Sequence, residues 1–209
     1  MEKKKVKRKK IPCIISDIDD VIVDFLGFLC DLYNSKHGTS LSKADITDWN
    51  WDTLKIRDVG NKRIDGEDLK KFFEEYESSF YSSIPVMDES KRAIEYFKFL
   101  GYKVILITAR KEEHRKATEV CLWRNRVPYD DLIFDWDKQK VIKKLQRNHD
   151  IMFFADDKAT TCETVNDNCK VQDTYLVNKG HNKEHEESDG ITRIDNLLEV
   201  IRKLKKVNK

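Results

Sequence analysis

Three clusters of polar side chains in this sequence each follow a short apolar run. Asp17, Asp19 and Asp20 follow Ile11 to Ser16; Thr108, Ala109 and Arg110 follow Tyr102 to Ile107; Asp156 and Asp157 follow Ile151 to Ala155. Brought together, these carboxylates would repel one another and stay ionised only with a cation among them. A set of oxygen ligands points to Mg²⁺, which takes one or two carboxylates, waters and a phosphate. A carboxylate beside such an ion can attack phosphorus to give an aspartyl-phosphate, dividing one difficult hydrolysis into two easier steps. A second carboxyl two residues along can protonate the leaving alkoxide and then deprotonate the attacking water. A hydroxyl donor and a lysine would hold the remaining phosphoryl oxygens.

The elements around these clusters must bring them to one place. Short runs rich in Ile, Val and Phe, bounded by polar residues, read as buried parallel strands, and a further strand is expected at Tyr175 to Val177. Helical spacing links them: Ala93, Ile94, Phe97 and Leu100, with Asp88 as N-cap and Gly101 as terminator; then Ala117, Val120, Cys121 and Arg124; then Val141, Ile142 and Leu145; finally Leu197, Leu198, Ile201 and Leu204. Strands alternating with helices imply an α/β fold with an open, mostly parallel sheet and helices on both faces. In such sheets ligands bind beyond the carboxyl ends of the strands, where all three clusters fall. Residues 26–84 break the alternation and read as a small helical cap inserted after the first strand. It carries Leu29, Leu32, Leu69, Phe72, Phe73 and Tyr76 around a polar, aromatic stretch with Trp49 and Trp51. The division expected is a basic, disordered arm at 1–10, a catalytic core at 11–25 and 85–209, and a cap at 26–84.

Composition narrows the class. The 209 residues are 39% hydrophobic and 37% charged with seven Gly and three Pro, which excludes collagen-like and low-complexity chains. The formal charge of +2 hides an asymmetry, since residues 1–10 hold seven basic side chains against Glu2. No apolar run reaches the roughly 18 residues of a membrane span. The short apolar stretch after the basic start does not make a secretory signal. The expectation is a soluble, cytoplasmic protein with no membrane partner. Five scattered cysteines without a Cys-x-x-Cys pair fit reduced thiols.

Asp17-x-Asp19-x-Val21 after an apolar strand, Thr108 after Val104 to Ile107, a lysine ahead of a helix, and Phe153-Phe154-Ala155-Asp156-Asp157 resemble, in order, the four motifs of the haloacid dehalogenase (HAD) superfamily of phosphatases. The resemblance runs from about residue 11 to 182 and implies a Rossmann-like HAD core. It implies Asp17 as nucleophile and Mg²⁺ ligand, and Asp19 as general acid and base whose carbonyl also touches the metal. It further implies Thr108 as a phosphoryl ligand and Asp156 and Asp157 as metal ligands, Asp157 the more direct. Lys138 and Lys140 compete for the lysine role; Lys138 is preferred because it precedes the apolar face of its helix by about one turn. The sequence departs from the commonest form at Asp20, where the family usually has Gly.

Within the superfamily, Asp17 to Phe25 and Ser79 to Val86 resemble the 5'(3')-deoxyribonucleotidases, which implies a nucleotide substrate and Phe25 as a nucleobase contact. Trp49 and Trp51 offer stacking surface or cap core. Arg110 either clamps substrate or pairs with an acid. His181 and His185, four residues apart, have the spacing of a metal pair on a helix, but their acidic, Gly-flanked surroundings read as a loop. The basic arm resembles a nucleic-acid or localisation segment. Two other functions fit the same residues: a polynucleotide 3'-phosphatase, which the cap disfavours and the arm favours, and a non-catalytic nucleic-acid-binding protein, which the intact carboxylates disfavour.

Overall fold

The computed structural model describes residues 10–48, 54–56, 64–186 and 188–207. Residues 1–9 of the basic arm, Trp49 and Trp51 lie outside these. In chain order the elements are β1 (Ile11–Ser16), α1 (Phe25–His37), β2 (Ile46–Asp48), β3 (Lys55–Ile56), α2 (Gly66–Ser83), α3 (Asp88–Phe99), β4 (Lys103–Thr108), α4 (Arg115–Arg124), β5 (Asp131–Phe134), α5 (Lys138–Leu145), β6 (His149–Asp156), α6 (Ala159–Asn168), β7 (Asp173–Val177), β8 (Ile191–Ile194) and α7 (Leu198–Val207).

Six strands form one sheet in the order β5-β4-β1-β6-β7-β8, and every pairing in it is parallel. Alternate residues of the central strands enter opposite layers. Ile14, Leu106 and Phe153 pack with Phe97 of α3, Leu122 of α4 and Val200 of α7. Ile15, Ile107 and Phe154 pack with Ile142 of α5 and Cys162 of α6. Burial on both faces is why the central strands are apolar at consecutive positions. From β1 the chain winds outward to β4 and β5, then returns to the other side of β1 for β6, β7 and β8. The strand order therefore switches direction at β1, and the carboxyl end of β1 opens onto the crevice where open α/β sheets bind ligands.

Between β1 and α3 the chain makes α1, a β2–β3 antiparallel pair and α2. Departing and returning segments are tied together: Val23 bridges Val86, the Asp24 N–H donates to Pro85 O at 2.9 Å, and the Met87 N–H donates to Ile22 O at 2.9 Å. Phe25 of α1 packs edge-on against Phe73 and Phe80 of α2 at 5.4 and 5.1 Å.

Some local readings shift. Asp88 is the first residue of α3 rather than its N-cap, a position held by Met87; its charge still lies in the first turn, where it complements the helix dipole. Strands β5 and β8, the two edges, go unread in the sequence because they are four residues long and largely half-exposed. All five cysteines are free thiols. Among the described residues no helix is long and apolar enough to cross a membrane.

Phe97 is fully buried and meets Phe153 edge-on at 5.1 Å, whereas Phe99 two residues along is 83% exposed. Urea denaturation of Phe97→Ala is expected to show a loss of ~3–5 kcal/mol, and that of Phe99→Ala a change within ~0.5 kcal/mol.

Candidate active site

Beyond the end of β1, the Asp17 N–H still donates to Ala155 O of β6 at 2.9 Å, so the first carboxylate stays registered against the strand bearing Asp156. The chain then turns tightly, with the N–H groups of Ile22 and Val23 both donating to Ile18 O. Asp20 takes the left-handed conformation, φ +53°, that this turn requires. Glycine adopts it without strain, and Asp is among the few other residues that tolerate it, which accounts physically for the departure noted at this position. The Asp20 carboxylate accepts the Leu26 N–H at 3.2 Å and thereby anchors the first turn of α1.

Lys138 is the first residue of α5, whose start is capped by the Asp137 side chain accepting the Lys140 N–H at 3.0 Å. Its buried ammonium lies 2.7 Å from Asp17 Oδ1 and 2.6 Å from Asp156 Oδ2. The other oxygen of Asp156 accepts the Lys158 N–H at 2.8 Å. Lys140 points outward, its side chain 57% exposed and 3.8 Å from Asp135. Of the two competing lysines, the fold brings Lys138 to the carboxylates.

Burial pushes the Asp17 carboxyl well above the usual range; Lys138 pulls it back, while Asp156, Asp157 and Asp19 push further up. Burial also raises Asp156, opposed by Lys138 and reinforced by Asp157. For Lys138 burial alone would favour the neutral amine, but Asp156 and Asp17 outweigh it and hold the ammonium charged. One lysine thus serves a group in which Asp17, Asp156 and Asp157 each offer a carboxylate oxygen within 4.8 Å of the others. Raised carboxyls with an all-oxygen donor set are what a hard divalent cation would relieve, so these residues fit Mg²⁺.

Asp19 belongs to a second network. Arg110 grips it with both arms of the guanidinium, Nε to Oδ2 at 2.9 Å and Nη2 to Oδ1 at 2.5 Å, while Nη1 donates to Thr118 Oγ1 at 2.8 Å. The guanidinium lies 4.2 Å from the centre of the Tyr81 ring. Of the two roles open to Arg110, the geometry displays pairing with an acid. Thr108 is fully buried and its Oγ1 accepts the Arg110 N–H at 3.2 Å.

Asp17, Asp19, Phe25, Arg110, Lys138, Asp156 and Asp157 all line one cleft of about 470 Å³; Thr108 does not line it, whereas its neighbour Ala109 does. The cleft adds residues the sequence reading did not select. Tyr81 lies within the stretch Ser79 to Val86 and lines the cleft. Trp136 stands at the rim, 82% exposed; a large aromatic in a polar loop two residues before Lys138 was the available signal. His181 Nε2 lies 3.0 Å from Asp157 Oδ2, whereas His185 pairs with Glu163 at 2.9 Å. The two histidines therefore serve different acids.

A family model described as "5' nucleotidase, deoxy (Pyrimidine), cytosolic type C protein" matches residues 10–204. No curated protein sequence matches. Among solved structures, a haloacid dehalogenase-like hydrolase from Burkholderia xenovorans is similar with a TM-score of 0.60 at 12% identity, covering 95% of this chain and 98% of that one. An L-2-haloacid dehalogenase is similar with a TM-score of 0.59 at 10% identity, covering 93% and 99%. A phosphonoacetaldehyde hydrolase-like protein from Oleispira antarctica is similar with a TM-score of 0.57 at 15% identity, covering 100% and 96%. At these identities the likeness is one of fold.

Asp20 supplies a pH test of the electrostatics. Burial, then Asp157, raises its carboxyl well above the ordinary value, against the pull of the Leu26 N–H and Lys179. The folded state therefore holds this proton more tightly than the unfolded chain does, and stability is lost as pH rises from the ordinary carboxylate range through the raised folded value. Asn tolerates the same backbone and keeps an acceptor for Leu26. In chelator, Asp20→Asn is expected to melt about 3 °C or more above the parent at pH 8, with the advantage vanishing as the pH approaches 4; thermal melts across that range check it.

Proposed function

The chain belongs to the 5' nucleotidase, deoxy (pyrimidine), cytosolic type C family of the HAD superfamily, and from that premise we propose that it releases phosphate from nucleoside monophosphates, deoxyribonucleotides foremost, with Mg²⁺ and through an aspartyl-phosphate on Asp17. Membership makes it a phosphoric monoester hydrolase of the nucleotidase type. The observation that carries the finer reading is the bridge of Lys138 between Asp17 and Asp156, with Asp157 beside it and Asp19 held separately by Arg110.

In this reading Asp17 Oδ attacks phosphorus while Lys138 steadies it and offers its remaining donor capacity to the phosphoryl oxygens. Thr108 is the hydroxyl for the same group and reaches it only if Oγ1 turns from the Arg110 N–H. Arg110 holds Asp19 towards the cleft, so that its carboxyl gives a proton to the leaving alkoxide and takes one from the water that cleaves the acyl-phosphate. Mg²⁺ held by Asp17, Asp156, Asp157 and the Asp19 carbonyl would supply charge neutralisation for the phosphoryl group. His181 orients Asp157 through their 3.0 Å contact. Phe25, Tyr81 and Trp136 give the cleft an aromatic side suited to a nucleobase. We take residues 11–25 and 85–209 as the catalytic core and 26–84 as the cap that favours a small substrate. The family description supports a cytosolic location.

Phosphate release from a panel of 5'- and 3'-nucleoside monophosphates, with and without Mg²⁺ and beside a 3'-phosphorylated oligonucleotide, tests this reading. Mononucleotides are expected to turn over faster, and only with the metal; faster turnover of the oligonucleotide would overturn the substrate class. Asp17→Asn is expected to lower kcat by about 10³-fold or more, and undiminished hydrolysis in that variant would sink the nucleophile assignment. Removing residues 2–9 should leave mononucleotide kcat/KM within about twofold, since a change of that size is under 0.5 kcal/mol.

A further inference from the structure

Away from the carboxylate cleft, three ligating side chains converge where α2 passes the turn ahead of α4. Glu77 lies on α2, and Glu113 and His114 lie in the 3-10 turn Glu112–His114. His114 Nε2 is 3.1 Å from Glu77 Oε1 and 3.5 Å from Glu113 Oε1, and one ligand atom from each residue falls within 4.8 Å of the other two. The imidazole is buried, its side chain 7% exposed, yet Nε2 makes no hydrogen bond, because neither nearby carboxylate oxygen meets it in bonding geometry.

Donor atoms that crowd together without bonding one another are arranged as ligands of a common centre are. Ligands at about 2.0–2.1 Å from a tetrahedral zinc ion lie ~3.3 Å apart, and separations of 3.1 and 3.5 Å bracket that edge. The donor set also selects the ion. An imidazole nitrogen suits zinc and its neighbours, whereas Mg²⁺ and Ca²⁺ prefer oxygen throughout. Glu113 is 67% exposed, which leaves the solvent side open for water as the fourth ligand. The competing cation is Lys111, whose ammonium lies 3.8 Å from Glu77 Oε2 and 3.8 Å from Glu113 Oε1 on a side chain 69% exposed. At that distance it neutralises the pair loosely and can swing into solvent when a divalent ion arrives.

We propose that Glu77, Glu113 and His114 form a second metal site, for a divalent transition-metal ion of the zinc class, distinct from the carboxylate centre of the cleft. It joins α2 to the segment that follows Arg110. The His114 ring lies 4.9 Å from the Tyr81 ring, and Tyr81 in turn carries the Arg110 guanidinium that grips Asp19. An ion here fixes the wall from which Asp19 is held, and it does so whatever the substrate of the cleft.

The test titrates the full-length protein, preloaded with excess Mg²⁺, with Co²⁺ and Zn²⁺, read by visible absorption and calorimetry. One equivalent is expected, with the Co²⁺ spectrum of nitrogen and oxygen ligands and no thiolate band. Glu113→Gln, at an exposed position that leaves folding intact, is expected to weaken binding at least about tenfold. Lys111→Gln should tighten it, because the competing ammonium is gone, an outcome that a purely structural Glu–His–Lys contact would not give. Asp157→Asn should leave this equivalent unchanged, which separates it from the cleft. Equal binding in Glu113→Gln and the parent, weaker binding in Lys111→Gln, loss of the equivalent in Asp157→Asn, or a thiolate band would each overturn the proposal.

Discussion

The contact of Lys138 with both Asp17 and Asp156 is the constraint around which the cleft is organised. Taking three charges out of water is expensive, and the attraction between them recovers that loss only when each is paired in good geometry. Here the geometry comes from the sheet. Asp17 and Asp156 extend from adjacent parallel strands in register, and α5 starts from the loop after β5 so that its first residue points between them. Removing the lysine would leave two buried carboxylates facing each other and Asp157. Removing one carboxylate would leave the ammonium half-paired. The pair therefore depends on β1 and β6 being neighbours, and the strand order β5-β4-β1-β6-β7-β8 places the reversal of winding at that point.

A second ion pair lines the same cleft and is built differently. Arg110 and Asp19 meet through a two-pronged hydrogen bond, and the guanidinium is backed by Tyr81 and fixed by Thr118. Tyr81 belongs to α2 and Arg110 to the segment after β4, so this network crosses from the inserted helices to the sheet, whereas the Lys138 network joins the ends of β1 and β6 to the first residue of α5 and uses no residue of the inserted segment. In the proposed chemistry that division separates a fixed nucleophile from an acid–base group whose position depends on how α2 is seated.

Much of this was legible in the sequence because burial writes itself into residue type. The central strands are covered on both faces and so read as unbroken apolar runs, and the polar residues that end them stand out by contrast. The edge strands β5 and β8 carry no such signal: Arg193 points into polar company at Asn182 and His185, and Asp131 begins β5 at the surface. Among candidate residues, Asp17, Asp19, Lys138, Asp156 and Asp157 could be chosen because each sits in a short motif and the motifs follow one another along the chain in the order of the family they resemble. The partners of Arg110 could not, since Asp19 is 91 residues away and Tyr81 lies on another element. Trp136 is similar: an exposed aromatic is ordinary until the fold places it on a cleft rim.

Charge in the cleft bears on the order of binding. Asp17, Asp19, Asp20, Asp156 and Asp157 line it against Arg110, Lys138 and Lys158. Arg110 and Lys138 are already committed to Asp19, Asp17 and Asp156, and Lys158 is exposed to solvent. With its carboxylates ionised, the lining carries two more negative charges than positive ones, in a place where water screens poorly. A phosphate dianion approaching that surface is repelled. Protonation of the raised carboxyls would relieve the repulsion, but in the proposed chemistry it would also silence Asp17 as the nucleophile. One divalent cation balances the excess while leaving Asp17 ionised. The shortage of lysine and arginine among these acids is thus consistent with a metal that binds ahead of the phosphate and makes its approach favourable.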